Sequence, residues 1–156
     1  MTRDEGSRIH AELLTPDEEV LWHSMTRIVK LLLRQLDLDL QRDASVTIAE
    51  YDVMRHLAPV PDRQLRMSEL ARRVGLSPSR TSRLVESLQS QGFVTRVTSS
   101  SDARGGLARL TDLGKAKVMS ALPTYVKCLR THLFDRIEPL TVDIVVRAFA
   151  AIPVPD

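Results

Sequence analysis

The chain has 156 residues, of which 43% are hydrophobic and 27% are charged, and its formal net charge is +2. This length and balance are typical of one globular domain, and no apolar run reaches the ~18 residues of a membrane span. The single cysteine, Cys128, excludes an internal disulfide. Because the first residues also lack the apolar stretch of a secretory signal, we expect a cytoplasmic protein without membrane association.

Positive charge is concentrated in the middle of the sequence. Residues 63–109 hold nine arginines against three acidic residues, which gives this segment +6 and leaves −4 for the rest of the chain. A basic segment between acidic flanks suggests that only this segment contacts a polyanion. The alternative is a solvated surface that happens to be rich in arginine.

The order of apolar and polar residues predicts a mainly helical fold with one small β hairpin. We expect a flexible arm over residues 1–14 and a single domain over residues 15–156. Within this domain, residues 46–111 are expected to form a lobe of short elements, with longer helices over residues 15–42 and 111–152.

The first two helices each begin at a predicted capping box. Thr15 with Glu18, and Thr47 with Glu50, place a hydroxyl and a carboxylate where they satisfy the free N–H groups of a helix start. Apolar residues then recur at helical spacing, which predicts two amphipathic helices.

The segment 68–93 predicts a helix, a tight turn and a second helix. Gly75 lies at the turn, where a positive φ is needed, and Ser77 and Pro78 suit the start of the second helix. In that helix one face is expected to be buried, formed by Thr81, Leu84, Val85 and Leu88.

The opposite face of the second helix is predicted to be short, polar and positively charged. Its expected members are Ser79, Arg80, Ser82, Arg83 and Ser87. Such a face fits the major groove of DNA, because arginines donate paired hydrogen bonds to guanine or phosphate and serines add little bulk. A helical hairpin with a solvated face is the alternative.

The next segment predicts a two-stranded hairpin. "FVTRV" alternates apolar and polar residues, "LARL" can pair with it, and the loop "SSSDARGG" joins them. Beside a major-groove helix, such a loop would reach the minor groove, where Arg104 would enter, held by Asp102. An ordinary hairpin turn is the alternative.

Two further helices are predicted after Thr111. Pro123 should kink the first of them, and the last helix should follow Thr141. Together with the first helix, they carry more apolar positions than a small lobe can bury, which indicates a partner surface.

These residues resemble the MarR-type winged helix-turn-helix regulators over roughly residues 17–152. The resemblance rests on "MSELARRVGLSPSRTSRLVESLQSQGFV" and on the wing signature of Asp-x-Arg, five residues and Leu-Thr. Here that signature is complete as Asp102, Arg104, Leu110 and Thr111.

The resemblance implies a winged helix-turn-helix fold with N- and C-terminal dimerisation helices. It also implies a homodimer on pseudo-palindromic double-stranded DNA, which usually represses transcription and is often released by a small phenolic or other aromatic ligand. Arg96, with Arg72 or Arg73, is expected to hold phosphates. A protein-interaction module, or a small-molecule-binding module without a DNA role, is the alternative. An acidic or apolar recognition face would have favoured the interaction module.

Candidate ligand-binding residues lie on the first two helices. In MarR-type regulators the inducer pocket lies between the dimerisation helices and the DNA-binding lobe, so the resemblance implies that Trp22, His23, Asp52 and His56 line it. The alternatives are interface packing for Trp22 and a salt bridge from Asp52 to an arginine of the wing or recognition helix.

The remaining chemical groups predict neither catalysis nor a cofactor. Cys128 is expected to be a packed, inert thiol rather than a redox sensor. The four histidines show no metal-site spacing with Cys or acidic residues, so we expect no metal ion. The serines lack a paired His and Asp, and there is no phosphate-binding glycine loop.

Overall fold

The computed structural model describes residues 14–97 and 106–152, apart from the side chain of Leu140. The helices of these residues are α1 (Pro16–Ala44), α2 (Ile48–Leu57), α3 (Met67–Val74), α4 (Pro78–Ser90), α5 (Asp112–His132) and α6 (Pro139–Ala150). The strands are β1 (Gln64–Arg66), β2 (Val94–Val97) and β3 (Leu107–Leu110). The chain divides into two compact units, residues 1–34 and residues 35–156, and the boundary falls within α1.

Both predicted capping boxes are present. At the start of α1, the Thr15 N–H donates to a Glu18 carboxylate oxygen at 2.7 Å, and the Glu18 N–H donates to the Thr15 hydroxyl at 3.3 Å. Thr47 and Glu50 make the same reciprocal pair at the start of α2. These starts were predictable because each depends on residues three positions apart.

The core of the second unit is built from aliphatic side chains and one tyrosine. The last part of α1 contributes Leu36 and Leu40, and α2 contributes Tyr51, whose ring packs against Tyr125 of α5 with 5.1 Å between ring centroids. The remaining large buried side chains come from the segment before α2 and from α2, α3, α4 and the sheet: Val46, Val53, Met54, Leu57, Leu70, Val85, Leu88, Val94 and Leu110. This shared core fixes the position of α4 on the lobe.

The strands form an antiparallel sheet in the order β1-β3-β2. The predicted hairpin is present, with Val94 opposite Leu110 and Val97 opposite Leu107. The sequence reasoning missed β1, which pairs with β3 but is only three residues long. A strand this short has no alternation to detect.

The junction between the hairpin and α5 is tightly packed. The Thr111 hydroxyl donates to the Gly92 carbonyl at 2.8 Å and accepts from the Gly114 N–H at 3.0 Å, which caps α5. A Cβ atom added to Gly114 would lie 2.2 Å from the Phe93 carbonyl oxygen. A glycine is therefore required where α5 approaches the backbone before β2.

The last two helices differ in part from their predicted limits. α5 continues through Pro123, and its expected kink stays a prediction. α6 begins at Pro139, two residues before the predicted Thr141, because proline at the first helical position needs no N–H partner.

Across residues 14–97 and 106–152, no helix combines the length and the apolar character needed to cross a membrane.

Candidate nucleic-acid interface

The turn between α3 and α4 has the geometry that its residues predict. Gly75 adopts a left-handed conformation with φ of 64° and ends α3. The Ser77 hydroxyl accepts from the Arg80 N–H at 3.4 Å, and Pro78 takes the first helical position of α4. The beginning of α4 is therefore held by its own residues.

One face of α4 is buried against the lobe, as predicted. Thr81, Val85 and Leu88 are fully buried, and Leu84 is half-buried. The Thr81 hydroxyl donates to the Ser77 carbonyl at 3.1 Å, and this bond gives the buried hydroxyl a hydrogen-bond partner inside the core. Burial of this stripe determines which side chains α4 presents to solvent.

The opposite face of α4 exposes Ser79, Arg80 and Arg83. Among the residues that the structure describes, the guanidinium groups of Arg80 and Arg83 make no hydrogen bond and no ion pair. Their guanidinium groups carry ten N–H donors between them, all of which an incoming acceptor can reach. This is the exposed, positively charged face that the sequence predicts.

Ser82 and Arg96 interact with one another. Arg96 of β2 donates to the Ser82 hydroxyl at 2.7 Å and to a Glu86 carboxylate oxygen at 3.3 Å. These contacts tie the hairpin to α4. One terminal nitrogen of Arg96 makes all of these contacts, so the other N–H donors of its guanidinium group stay available for a phosphate.

The predicted outward orientation of Ser87 is wrong. Ser87 is half-buried, and its hydroxyl donates to a Glu50 carboxylate oxygen of α2 at 3.2 Å. Gln91 donates to the same oxygen at 3.0 Å. Ser87 lies at the edge of the buried stripe, where α2 covers α4, and helical periodicity alone does not reveal that neighbour.

The Glu50 carboxylate is the common acceptor of these hydrogen bonds. Burial acts to raise its pKa, but hydrogen bonds from the Thr47 backbone and hydroxyl, Gln91 and Ser87 outweigh burial and leave the pKa below its usual value. Glu50 is therefore ionised at neutral pH and links the start of α2 to the end of α4.

Arg72 and Arg73 are paired within α3. Both donate to the Glu69 carboxylate, Arg73 at 2.7 Å and Arg72 at 2.9 Å. The hydrogen bonds from Arg73 and then Arg72 lower the pKa of Glu69. Both arginines are exposed, so phosphate contacts would replace ion pairs that water already screens.

The wing signature divides into a tip and a base. Asp102 and Arg104, the predicted tip residues, lie outside the described residues. At the base, Leu110 is buried and Thr111 caps α5. The two base residues are thus structural and fix where the hairpin leaves the lobe.

The candidate ligand-binding residues fall in different units. Trp22 and His23 lie in the first unit, where the Trp22 side chain is 59% exposed and a His23 ring nitrogen bonds to the Glu19 carbonyl. In the second unit, Asp52 pairs with Arg55 at 3.0 Å. The alternative in which Asp52 pairs with an arginine of the recognition helix is wrong for the described residues, because Arg55 is one turn away on α2.

Cys128 is packed, but it has polar neighbours that the sequence reasoning missed. It is 3% exposed, and burial raises the pKa of its thiol, with a hydrogen bond to Asp39 acting in the same direction. The Asp39, Cys128 and His132 donor atoms all lie within 4.8 Å of one another. The interpretation that the histidines lack metal-site spacing was wrong, because Cys128 and His132 are one helical turn apart on α5.

Comparison with known proteins places this geometry in a family. The model of the MarR family matches residues 44–105. The crystal structure of Sco3205, a MarR family transcriptional regulator from Streptomyces coelicolor in complex with DNA, is 36% identical with a TM-score of 0.80, and the match covers 89% of each chain. The chain belongs to the MarR family.

Other MarR family structures share the fold. AbsC from Streptomyces coelicolor is 29% identical with a TM-score of 0.81, and the match covers 88% of this chain and 93% of AbsC. CouR from Rhodococcus jostii RHA1, whose structure holds p-coumaroyl-CoA, is 21% identical with a TM-score of 0.71 over 87% of this chain and 95% of CouR. A comparison with curated proteins finds no significant match.

Membership of the MarR family gives the elements their names. The protein is a transcriptional regulator of this family, whose members are regulators rather than enzymes. α3 and α4 form its helix-turn-helix, α4 is the recognition helix, and β2 with β3 forms the wing.

Proposed function

We propose that this MarR family regulator represses transcription as a homodimer bound to pseudo-palindromic double-stranded DNA. The observation that carries the proposal is the exposed face of α4, where the guanidinium groups of Arg80 and Arg83 have no partner among the described residues. The guanidinium group is a planar, pre-organised fork, so less conformational entropy is lost for each hydrogen bond that it forms. The DNA in the Sco3205 crystal structure supports the same use of this fold.

The recognition helix would read base edges in the major groove. Ser79, Arg80 and Arg83 are exposed on α4, and the capped start of that helix orients the first two. Arginine forms paired hydrogen bonds with guanine O6 and N7, which is the commonest specific contact in the major groove. Ser82 would also contact the base edges once the Arg96 guanidinium leaves the Ser82 hydroxyl and binds a phosphate.

The wing would reach the adjacent minor groove. Its two strands leave the lobe beside α4, because Arg96 of β2 contacts Ser82 and Glu86 of α4. We propose that Arg104 enters the minor groove and that Asp102 holds it in place. Arg96, Arg72 and Arg73 would bind phosphates, which position the protein without reading sequence.

Each compact unit presents an apolar face that a second copy would cover. In the first unit α1 exposes Val20, Leu21, Trp22, Ile28, Val29, Leu31 and Leu33. In the second unit α6 exposes Ile144, Val145, Val146 and Phe149. Apolar surface of this extent is uncommon on a monomer. A two-fold dimer would place its recognition helices roughly 34 Å apart, one turn of DNA.

We further propose that a small aromatic acid releases the protein from DNA. Trp22 and His23 in the first unit offer an aromatic ring and an imidazole, and Asp52 and His56 in the second unit offer a carboxylate and an imidazole. The structure of CouR, which has this fold, holds p-coumaroyl-CoA, a thioester of an aromatic acid, and this supports an aromatic ligand here. Thermal melting with phenolic acids and urate tests the proposal, and unchanged melting temperatures throughout would remove it.

The DNA proposal is tested by selecting bound fragments from random double-stranded DNA. A mobility-shift assay then compares the wild-type protein with Arg80→Ala and Arg104→Ala on the selected sequence. We expect Arg104→Ala to weaken binding most at A·T-flanked sites. If both variants bind like the wild type, the residue assignments fail. If no fragment is enriched, the alternative without a DNA role is favoured.

A further inference from the structure

A polar cavity of about 220 Å³ opens beside Cys128 in the second unit, away from the recognition helix. The last part of α1 lines it with Asp39, and α5 lines it with Cys128 and His132. One donor atom from each of these three residues lies within 4.8 Å of the others. Nothing in the DNA-binding role of the molecule uses this group.

The sequence places the three side chains together in two steps. Cys128 and His132 are four residues apart on α5, so they lie on one face of that helix, one turn apart. Asp39 belongs to the last part of α1, where burial of the neighbouring Leu36 and Leu40 fixes the helix against the core of the unit. The carboxylate then lies beside the thiol, with their donor atoms within 4.8 Å of each other.

We propose that Asp39, Cys128 and His132 form a Zn²⁺ site, with water as the fourth ligand. Thiolate, imidazole and carboxylate are the ligands that zinc takes in tetrahedral sites, and three protein ligands leave one position open. Mg²⁺ and Ca²⁺ prefer all-oxygen ligand sets, so this donor set selects against them.

The present distances are close to those of a coordinated site. Zinc–ligand bonds of 2.0–2.3 Å in a tetrahedron place neighbouring donors roughly 3.5 Å apart. From the 4.8 Å that bounds them now, the three donors must therefore approach one another by no more than about 1.3 Å. His132 is exposed and makes no hydrogen bond among the described residues, so rotation of its ring supplies this movement.

The charges around the cavity permit a divalent cation. Asp39 accepts from Gln35 and is paired with Arg42, each at 3.0 Å. Arg42 also makes a two-fold contact with Asp43 at 2.7 and 3.0 Å, so it retains an anionic partner when Asp39 turns to the metal. Arg42 and Lys127 both line the cavity, and these two cationic side chains oppose binding.

Coordination would join the neighbouring Cys128 and Asp39 side chains through bonds to one ion. The thiol loses its proton to solvent as the Zn–S bond forms, because a coordinating thiol is deprotonated. The ion would cross-link the last part of α1 to α5. Binding therefore stabilises the folded protein and raises its melting temperature.

Cobalt(II) titration of the metal-free, full-length protein tests the site directly. Co²⁺ reports a thiolate ligand through a charge-transfer band in the near ultraviolet and tetrahedral geometry through strong visible bands. We expect one equivalent of Co²⁺ to produce both signals and Zn²⁺ to abolish them. A titration without the thiolate band would overturn the proposal.

Substitution of each ligand separates the site from general metal binding. His132→Ala changes an exposed residue and should fold normally, yet it should weaken Zn²⁺ binding by about tenfold or more. Cys128→Ser should abolish the charge-transfer band. His23→Ala, an exposed histidine of the first unit, is the matched control and should bind like the wild type.

The melting temperature gives a second readout that does not depend on DNA. Zn²⁺ should raise it for the wild type and for His23→Ala, but not for His132→Ala. Equal shifts for all three proteins would contradict the site. Because no DNA is present, failure here would leave the proposed operator binding untouched.

Discussion

Gly114 and Thr111 show how single residues position the interface. Thr111 caps α5 and holds the Gly92 carbonyl, while Gly114 leaves room for the Phe93 carbonyl. Together they determine the angle at which the wing joins the lobe. The Leu-Thr end of the wing signature therefore has a structural role beside the DNA-contacting role predicted for its Asp-x-Arg start.

We expect Gly114→Ala to destabilise the protein by about 1–3 kcal/mol, because the new methyl group would overlap backbone that is already packed. Urea denaturation followed by circular dichroism measures the change. Gly106→Ala is the matched control, since a Cβ atom there meets nothing within 4 Å. Equal stability of the two variants would contradict the packing at Gly114.

Arg80 is expected to carry base specificity. Replacement of Arg80 by alanine should relax the preference at one base pair per half-site by about 1–3 kcal/mol, because it removes a paired hydrogen bond to guanine. Binding to a set of single-base operator variants measures this preference. Arg130→Ala, an exposed arginine on α5, serves as the control and should keep the wild-type preference. An unchanged preference in Arg80→Ala would show that another residue reads that base.

Residue-level predictions succeeded where the cause was local. The capping boxes, the Gly75 turn and the Ser77 cap depend on neighbours within a few positions, and all were predictable. Ser87 and the cluster around Cys128 depend on partners distant in the sequence. Periodicity identifies the face of a helix but not the side chain that covers it.

At the scale of elements, Glu50 joins α2 to α4. It completes the α2 capping box and also accepts hydrogen bonds from Ser87 and Gln91 near the end of α4. The recognition helix is thus held at its start by Ser77 and near its end by Glu50. Both attachments involve polar groups that a change of charge can weaken.

Glu50→Gln should destabilise the protein by about 1 kcal/mol at neutral pH, because the charged form of this carboxylate is the one that its donors stabilise. The folded-state pKa of Glu50 lies below its usual value. Its contribution is therefore fully present above the unfolded pKa and is lost as the pH falls through the folded pKa. Urea denaturation at a series of pH values should show the difference between wild type and variant shrinking on acidification.

The control for this measurement is Glu138→Gln, which changes an exposed glutamate that makes no side-chain cap at α6. We expect its free energy of unfolding at neutral pH to stay within about 0.5 kcal/mol of the wild type. A wild-type–Glu50→Gln difference that grew on acidification would contradict the sign argued for Glu50.

The positions of long helices and strands were predicted better than those of short ones. Long helices repeat their apolar pattern several times, so both ends of α1 and the start of α5 were predicted within a few residues of those observed. β1 is three residues long and needs β3 to exist. α6 begins earlier than predicted because Pro139 takes the first helical position, which the apolar pattern does not reveal.

At the scale of the whole molecule, the exposed apolar faces are the strongest argument for a second copy. On α6, Ile144 and Val146 are each 60% exposed. In a homodimer this surface would be removed from water, and each buried methylene would contribute about 0.8 kcal/mol. A chain that remained monomeric would leave both faces unexplained.

Val146→Glu should therefore weaken the homodimer, because a carboxylate would be buried in an apolar interface. Sedimentation across a range of concentrations measures the monomer–dimer equilibrium. Gln89→Glu introduces the same charge on the exposed side of α4 and should leave that equilibrium unchanged. If the two variants sediment alike, α6 is not part of the interface.

The central claim is that two copies of the chain bind one DNA duplex through their exposed α4 faces. The salt dependence of DNA binding tests this claim. Fluorescence anisotropy with a selected double-stranded fragment gives the affinity at several salt concentrations, and the endpoint gives the number of chains per duplex. The account predicts two chains per duplex and an affinity that falls steeply with salt, with a log–log slope near −0.9 for each phosphate contacted. An affinity independent of salt, or no binding even in dilute buffer, would contradict it.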